Sequence, residues 1–285
     1  MLENQSVAFV GSGTMAEAII KAILDHNLVP QHQITGSDPR TDRGEELAAR
    51  YGIHVTADNT AAVSQASIVI LAVKPQTLPH VLPELRGKIP ASAIVLSIVA
   101  GVNIGTLVDG LAHREVVRCM PNTPAQIGQG MAVWMATPET TAEQQEWVQS
   151  ILQAMGSEVR VYEEKQLDMA TAVSGTGPAY VFLVMEAMVD AAVHLGFARY
   201  VAKKLVFQTV LGSVLFAEQS GKHLAELRNM VTSPGGTSAD AIYQMEKGSL
   251  RTVLSKAIWG AYQKSCMLAN MMPAASGPTR PDLEE

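Results

Sequence analysis

Short, strongly apolar runs recur along the first 162 residues, and segments with helical spacing of polar and apolar positions separate the early ones. One such segment is Arg43–Tyr51, in which Glu-Glu-Leu-Ala-Ala follows the period of a helix. Strands too apolar to face water on either side are typical of a parallel sheet that is covered by helices on both faces. The pattern predicts a doubly wound α/β domain with strands at Val7–Val10, Gln33–Ser37, Ile68–Val73, Ala93–Ile98, Val116–Met120, Met131–Met135 and Val159–Tyr162.

The strand pattern stops near Tyr162, and residues 166–271 read as helix throughout. We therefore predict that the α/β domain spans residues 1–162 and that an all-helical domain spans residues 163–271. Residues 272–285 are rich in Pro, Gly and Ser and end in acidic residues, a composition that predicts a disordered tail.

One helical stretch, Pro178–Phe197, is apolar on nearly every side, and its polar residues Glu186, Asp190 and His194 fall on one line. Such a helix must be buried almost all round. A membrane span is disfavoured because two carboxylates and a histidine lie within it. A helical domain of this size can hardly bury the helix alone, so we predict that it packs against a second subunit. The alternative is burial within one subunit.

Composition narrows the possible functions. Of 285 residues, 47% are hydrophobic and 17% are charged, which indicates a globular protein with a large core. The net charge of −6 disfavours a nucleic-acid partner, since no basic stripe is available for phosphates. The seven histidines and two cysteines show no metal-binding or disulfide spacing, and the first residues lack the features of a signal peptide. We predict a cytoplasmic protein without a metal.

The first apolar run leads directly into Gly11-Ser12-Gly13-Thr14-Met15-Ala16, which opens a predicted helix at Glu17–His26. A G-x-G-x-x-A segment between a strand and a helix is the dinucleotide fingerprint of the Rossmann-like fold. Gly11 permits the tight turn, Gly13 lets the backbone approach a pyrophosphate, and the small Ala16 permits close packing. The N–H groups of the helix start then face the phosphates. The alternative is a tight turn without a ligand.

The end of the second strand bears on cofactor preference. Asp38 lies 25 residues after Gly13, close to the spacing at which an acidic residue binds the ribose 2′-hydroxyl of NAD. Arg40 can instead hold a 2′-phosphate, with Ser37 as a further donor. The two signals conflict unless Pro39 turns Asp38 aside, and Asp38 has the alternative role of capping the next helix. We predict that NADPH is the better cofactor and that NADH is also used.

Further candidate residues follow the other strands, at the edge where doubly wound folds bind ligands. Lys74, in the segment Ala72-Val73-Lys74-Pro75, can reach a cofactor phosphate or ribose, or it can be an ordinary solvated lysine. Ala100 follows the next strand. The rigid segment Pro121-Asn122-Thr123-Pro124 is expected to flank the nicotinamide ring.

Two glycine-rich loops in the helical half each open a helix. The first runs from Ser174 through Thr176 to Tyr180, and the second contains Ser233-Pro234-Gly235-Gly236-Thr237-Ser238. Backbone N–H groups converge on an anion at such helix starts, and hydroxyls add donors, so a small carboxylate substrate fits there. The alternative for either loop is an ordinary cap with a turn.

Taken in order, these segments resemble the pyrroline-5-carboxylate reductase family over nearly the whole chain, to about Asn270. The most specific segments are Arg118-Cys119-Met120-Pro121-Asn122-Thr123-Pro124 and Ser233-Pro234-Gly235-Gly236. The resemblance implies a nucleotide-binding domain followed by a helical domain that forms interlocked homodimers, often gathered as five dimers in a decamer. It also implies an active site shared between subunits and a cofactor contact at Asn59.

The implied reaction is hydride transfer from NAD(P)H to (S)-1-pyrroline-5-carboxylate, which gives L-proline and completes proline biosynthesis. The implied cofactor contacts are Gly11, Ser12, Gly13, Thr14, Met15, Ser37, Asp38, Arg40, Asn59, Ala72, Val73, Lys74, Pro75 and Ala100. The implied substrate contacts are Ser174, Thr176, Gly235, Gly236, Thr237 and Ser238. Ser238 is the expected catalytic residue, at a position where the family usually carries threonine.

Two rival functions remain at this point. A β-hydroxyacid dehydrogenase shares the two-part architecture, but it uses a lysine shortly after a glycine-rich turn, and no lysine follows Gly177 until Lys203. A nucleotide-sensing protein without turnover is the rival from another class.

Overall fold

The computed structural model describes residues 2–271, so the tail predicted at 272–285 lies outside the described residues. Eight strands form one sheet in the order β3-β2-β1-β4-β5-β6-β7-β8. The strands are β1 (Val7–Val10), β2 (Ile34–Ser37), β3 (His54–Thr56), β4 (Ile68–Leu71), β5 (Ile94–Ser97), β6 (Val116–Met120), β7 (Gly130–Ala136) and β8 (Gly156–Arg160).

Six α-helices precede the last strand in the sequence, and six more follow it in the described chain. The first six are α1 (Thr14–Asp25), α2 (Thr41–Tyr51), α3 (Asn59–Val63), α4 (Leu78–Leu85), α5 (Ile104–Leu111) and α6 (Ala142–Ala154). The others are α7 (Lys165–Ala170), α8 (Gly177–His194), α9 (Arg199–Ser220), α10 (Leu224–Met230), α11 (Thr237–Lys247) and α12 (Leu250–Met271).

Two hydrophobic cores cover the two faces of the sheet, as the doubly wound pattern predicts. One contains Ile19 and Ile23 of α1 together with Ile151 of α6. The other contains Leu82 of α4 and Leu107 of α5. Every residue of β1, β4 and β5 is buried, which explains why these strands are continuously apolar. Successive strands are added on one side of β1 as far as β3, and from β4 onward they are added on its other side. Doubly wound folds bind ligands at the point where the strand order changes in this way.

Apart from shifts of one or two residues at strand ends, the sheet differs from the prediction in three places. β3 was missed, because it has only three residues and none of them is buried. The last strand is Gly156–Arg160 rather than Val159–Tyr162. The expectation of an all-parallel sheet is wrong for β6 and β7, which pair antiparallel. Only residues 121–129 connect these two strands, and a parallel crossover needs a longer connection.

Residue contacts divide the chain into two compact units. The first unit contains the residues up to Thr176 and the described end of the chain from Ala261, and the second contains Gly177–Gly260. Residues 163–176, assigned above to the helical half of the sequence, therefore group with the sheet. α12 begins in the second unit and ends in the first.

The second unit buries very little apolar surface on its own. Its buried core consists of Val189, Ala202 and Val206. Phe182 remains 61% exposed and Phe207 50% exposed, and α8 buries only Val189. The alternative that α8 is buried within one subunit is therefore wrong for the described chain. By length and composition alone, the helical stretches 165–194 and 199–220 are apolar enough to cross a membrane.

A buried cluster of charges joins four segments of the first unit. The Arg118 guanidinium on β6 lies 2.9 Å from a Glu164 oxygen and 3.0 Å from an Asp168 oxygen, and its side chain is 4% exposed. Asp168 also accepts a hydrogen bond from Ser265 Oγ of α12. Glu164 accepts from the N–H of Ile104, the first residue of α5. The sequence analysis identified no role for these carboxylates.

Replacement of Arg118 by methionine is expected to lower the free energy of unfolding by about 3 kcal/mol, because it leaves the buried Asp168 carboxylate without its cation. Urea unfolding followed by circular dichroism at one protein concentration measures the loss. Lys165→Met is the control, since it breaks the well-exposed pair of Lys165 with Glu163 and should change stability little. A loss for Arg118→Met no greater than for this control would contradict the prediction.

Candidate active site

The ends of β1 and β4 come close together at the first glycine of the fingerprint. Gly11 has φ +89°, and a Cβ placed there would lie 2.8 Å from Val73 Cγ1 and 2.9 Å from the Val73 nitrogen. The Ala72 N–H donates to the Val10 carbonyl at 2.9 Å. Glycine is required at position 11 by both its backbone angle and this contact. The predicted cofactor residues Gly11, Ala72 and Val73 are therefore neighbours.

Gly13 leaves open space at the start of α1. Its backbone is extended, with φ −73° and ψ −173°, and no side chain caps the helix. No atom outside its immediate chain neighbours lies within 4 Å of the position that a Cβ would occupy. A helix start of this kind presents N–H groups and a positive dipole end. The cradle fits the pyrophosphate of a dinucleotide, with Thr14 exposed and Met15 half-buried beside it.

Asp38 faces the fingerprint loop. The Ser12 N–H donates to Asp38 Oδ2 at 3.1 Å, and Ser12 Oγ donates to the Ser37 carbonyl at 3.2 Å. The Asp38 side chain is only 9% exposed. The suggestion that Pro39 turns Asp38 aside is therefore wrong. Asp38 is also not the cap of α2, because Arg40 occupies the position before that helix.

Arg40 is folded onto Asp38 in this structure. Its Nε and Nη2 donate to the two Asp38 oxygens at 3.0 and 3.1 Å, and its own N–H donates to Oδ1 at 3.0 Å. Burial of Asp38 opposes its ionisation, but the hydrogen bonds from Arg40 and Ser12 outweigh burial and lower the pKa of this carboxyl. Asp38 is thus a charged acceptor at the corner where a ribose is expected.

Asn59 lies at the same corner. Ser37 Oγ donates to Asn59 Oδ1 at 2.5 Å, and Asn59 Nδ2 donates to Glu84 Oε2 at 2.9 Å. The structure therefore brings Ser37, Asp38, Arg40 and Asn59 together. Sequence reasoning missed Glu84, because nothing in the spacing of α4 marks an exposed glutamate as a partner of Asn59.

The remaining predicted cofactor residues follow the next strands. Lys74 is exposed, and Pro75 begins a short 3-10 turn that leads into α4. Ala100 is half-buried after β5. Next to it, Gly101 has φ +67°, and a Cβ there would lie 3.0 Å from Leu268 Cβ on α12. The carboxyl edge of the sheet thus holds all the predicted cofactor residues.

Ser174 and Thr176 lie at a single π-helical turn, Thr171–Gly175, in the first unit. Ser174 Oγ donates to the Ala170 carbonyl at 3.0 Å, and Thr176 Oγ1 donates to the Thr171 carbonyl at 2.8 Å. Their hydroxyl protons are therefore already engaged, which leaves the two oxygens as acceptors only.

Asn122 fastens this turn to the sheet. Its Nδ2 donates to the Ser174 carbonyl at 3.0 Å, and its Oδ1 accepts from the Met131 N–H at 2.9 Å. A Cβ at Gly175 would come within 2.6 Å of Met120 Cε, so the turn packs directly against the end of β6. The segment expected to flank a nicotinamide thus also holds a predicted substrate loop in place.

The second glycine-rich loop lies in the second unit and opens α11. Gly235 has φ +70°, and Gly236 is the extended residue before the helix, which no side chain caps. A Cβ at Gly236 would lie 2.5 Å from Ser233 Oγ. Thr237 is exposed and Ser238 is half-buried in the first helical turn. The arrangement suits an anion at the helix start, as the sequence predicts.

Comparison with known proteins adds independent findings. A family profile described as pyrroline-5-carboxylate reductase dimerisation matches residues 164–268, and one described as NADP oxidoreductase, coenzyme F420-dependent, matches residues 6–101. A pyrroline-5-carboxylate reductase of Pseudomonas aeruginosa is 39% identical over 272 residues, which cover 95% of this chain and 99% of that protein. One of Arabidopsis thaliana is 33% identical and covers 92% of this chain and 95% of that protein.

A solved structure gives the same result. The crystal structure of the Plasmodium falciparum pyrroline carboxylate reductase with NADP bound has a TM-score of 0.87 and 30% sequence identity, covering 94% of this chain and all of that one. The fold and site described above thus define a two-part, dinucleotide-binding oxidoreductase architecture. The chain belongs to the pyrroline-5-carboxylate reductase family.

Proposed function

We propose that this protein reduces (S)-1-pyrroline-5-carboxylate to L-proline with NAD(P)H, the last step of proline biosynthesis. The observation that carries the proposal is the 39% identity with a pyrroline-5-carboxylate reductase over nearly the full length of both chains. The open cradle at Gly13 and the uncapped start of α11 supply the two anion sites that a dinucleotide and a small carboxylate need.

The bound nicotinamide supplies a hydride to the imine carbon of the substrate ring. The ring nitrogen becomes an amine and needs one proton, so the residues around it must orient the ring and deliver or admit that proton. The N–H groups around Gly235–Ser238 hold the carboxylate, and the Ser238 hydroxyl lies beside the ring nitrogen. Ser174 and Thr176, whose own protons are engaged, can act only as acceptors, and the protonated ring nitrogen is the one group of the substrate that can donate to them.

NADPH is the proposed better cofactor, and NADH is also used. The Arg40 guanidinium leaves the Asp38 carboxylate and holds the 2′-phosphate. Asp38 keeps its hydrogen bonds from the backbone N–H groups of Ser12 and Arg40. A charge-assisted, bidentate contact between arginine and phosphate is stronger than a neutral hydrogen bond to a ribose hydroxyl. The NADP-bound state of the Plasmodium relative supports this choice.

The protein self-associates, as the dimerisation profile over residues 164–268 indicates. The exposed apolar side chains of α8 and α9 support a homodimer, because a core of three buried residues cannot stabilise these helices alone. We further propose five dimers in a decamer, and an active site that combines the nucleotide-binding domain of one subunit with the helical domain of its partner. The protein is cytoplasmic and binds neither nucleic acid nor membrane.

Ser238→Ala is expected to lower kcat by roughly 10- to 100-fold, since it removes a hydrogen-bond donor beside the ring nitrogen. The KM for the cofactor should change little. Turnover is measured from the absorbance of the reduced cofactor after addition of pyrroline carboxylate. Ser238→Thr is the matched control, because it keeps the hydroxyl and restores the residue usual in the family. An unchanged kcat for Ser238→Ala would remove Ser238 from the mechanism. If the wild type itself consumes no cofactor, the protein is a nucleotide sensor without turnover.

Arg40→Ala is expected to raise the KM for NADPH about tenfold or more and to leave the KM for NADH nearly unchanged, because only NADPH carries the phosphate. Initial rates with each cofactor at saturating pyrroline carboxylate measure the two constants, and NADH serves as the internal control. Equal losses with both cofactors would show that Arg40 does not recognise the phosphate.

Sedimentation of the wild type at assay concentration is expected to show dimers or multiples of dimers and no monomer, since the second unit has too small a core by itself. The same samples are assayed for turnover. A monomer with full activity would contradict both the dimer and the shared active site.

A further inference from the structure

Two arginines of α2 share the same carboxylate partners, although Arg50 is 53% exposed and also lies over the Tyr51 ring. Arg43 Nη2 and Arg50 Nη1 each lie 2.5 Å from a Glu17 oxygen on α1, and both side chains also pair with Glu46, at 2.7 and 2.8 Å. Arg43 alone reaches further. Its Nε donates to the Ser12 carbonyl, in the middle of the fingerprint loop, at 2.8 Å.

The contact from Arg43 fixes the orientation of one peptide group. The Ser12–Gly13 peptide is trans, so the Gly13 N–H points opposite to the Ser12 carbonyl. With the carbonyl held toward Arg43, the Gly13 N–H is held toward the other side. The Ser12 N–H is fixed in the same way by Asp38 Oδ2. Two successive peptides of the loop are therefore oriented by charged side chains before any ligand arrives.

The charges behind this contact are stable. The Arg43 side chain is 13% exposed and that of Glu17 is 19% exposed. Burial opposes the charge on Glu17, yet hydrogen bonds from Arg43 and Tyr51 outweigh burial and lower its pKa. Burial likewise opposes the charge on Arg43, and its contacts with Glu17 and Glu46 raise its pKa. Charge-assisted hydrogen bonds are stronger when the groups are partly buried, so they restrict the position of the Arg43 side chain.

We propose that Arg43 is a positioning residue for the pyrophosphate of the cofactor, acting through the Ser12–Gly13 peptide. The proposal rests on the proposed function, since it concerns the same cofactor. Arg43 preorganises the backbone donors of the loop, and preorganisation lowers the cost of binding. Because NADPH and NADH share the pyrophosphate, Arg43 affects both equally, whereas Arg40 acts on the 2′-phosphate alone.

The test compares Arg43→Met with Arg50→Met in the full chain. Both variants lose an arginine that pairs with Glu17 and Glu46, and only the first loses the contact with Ser12. Calorimetry measures binding of ADP-ribose, which contains the pyrophosphate, and of adenosine 2′-monophosphate, which does not. Initial rates give KM and kcat with each reduced cofactor, and thermal unfolding reports stability.

Arg43→Met should weaken ADP-ribose binding about tenfold, the usual effect of one hydrogen bond to a charged group, and leave adenosine 2′-monophosphate binding within about twofold. The KM values for NADPH and NADH should rise by the same factor, with kcat retained. Arg50→Met should bind ADP-ribose as the wild type does. Arg43→Lys covers the case in which Arg43→Met fails to fold. It keeps a cation for Glu17 but lacks the fork that also reaches Ser12, so ADP-ribose binding should weaken without loss of stability.

Equal ADP-ribose affinities for the Arg43 and Arg50 variants would overturn the proposal, as would a change confined to NADPH. If the wild type binds no ADP-ribose, the proposed function fails and this proposal falls with it. Normal wild-type binding with an unaffected Arg43→Lys would overturn only the role of Arg43.

Discussion

The buried guanidinium of Arg118 is the interaction on which the first unit depends. It forms ion pairs with Glu164, just before α7, and with Asp168, within α7. These two carboxylates also accept hydrogen bonds from α5 and α12, so both helices are linked to β6. The planar guanidinium offers a separate nitrogen to each carboxylate in a fixed geometry, whereas a lysine has only one nitrogen to share between them. The same strand continues into Met120 and Asn122, which fix the turn at Ser174. One buried charge thus aligns the sheet edge with the loops that follow it.

The corner near Asp38 shows how much a site depends on the direction of its hydrogen bonds. The single proton of the Ser37 hydroxyl goes to Asn59, and the Asn59 amide donates to Glu84. Asp38 and Glu84 both contribute negative charge there, and Arg40 is the cation folded over Asp38. In the binding mode proposed above, a ligand phosphate at this corner competes with Asp38 for Arg40. Under that proposal, the preference between the two cofactors is a difference between two ion pairs, and the mere presence of an arginine does not set it.

The sequence was most informative where local pattern and burial agree. β1, β4 and β5 are buried on both faces, so their apolar runs were recognisable, and the fingerprint between β1 and α1 has a fixed spacing. β3 was missed because a three-residue strand at the sheet edge has no apolar pattern. The partners of Arg118 lie 46 and 50 residues away, and no periodicity connects them. Asp38 was predicted as a cofactor residue, but its orientation depends on the Ser12 N–H, which only the folded loop provides.

The path of the chain also has a consequence for biosynthesis. A ribosome makes residues 177–260, the whole second unit, before it makes Ser265, which donates to Asp168 in the first unit. Leu268, which packs against Gly101, is made later still. The sheet can form early in translation, but α12 completes its packing only after the intervening helices have been made. Until then, the nascent first unit exposes the surface that α12 will cover, so the order of synthesis delays completion of the first unit until the second has been made.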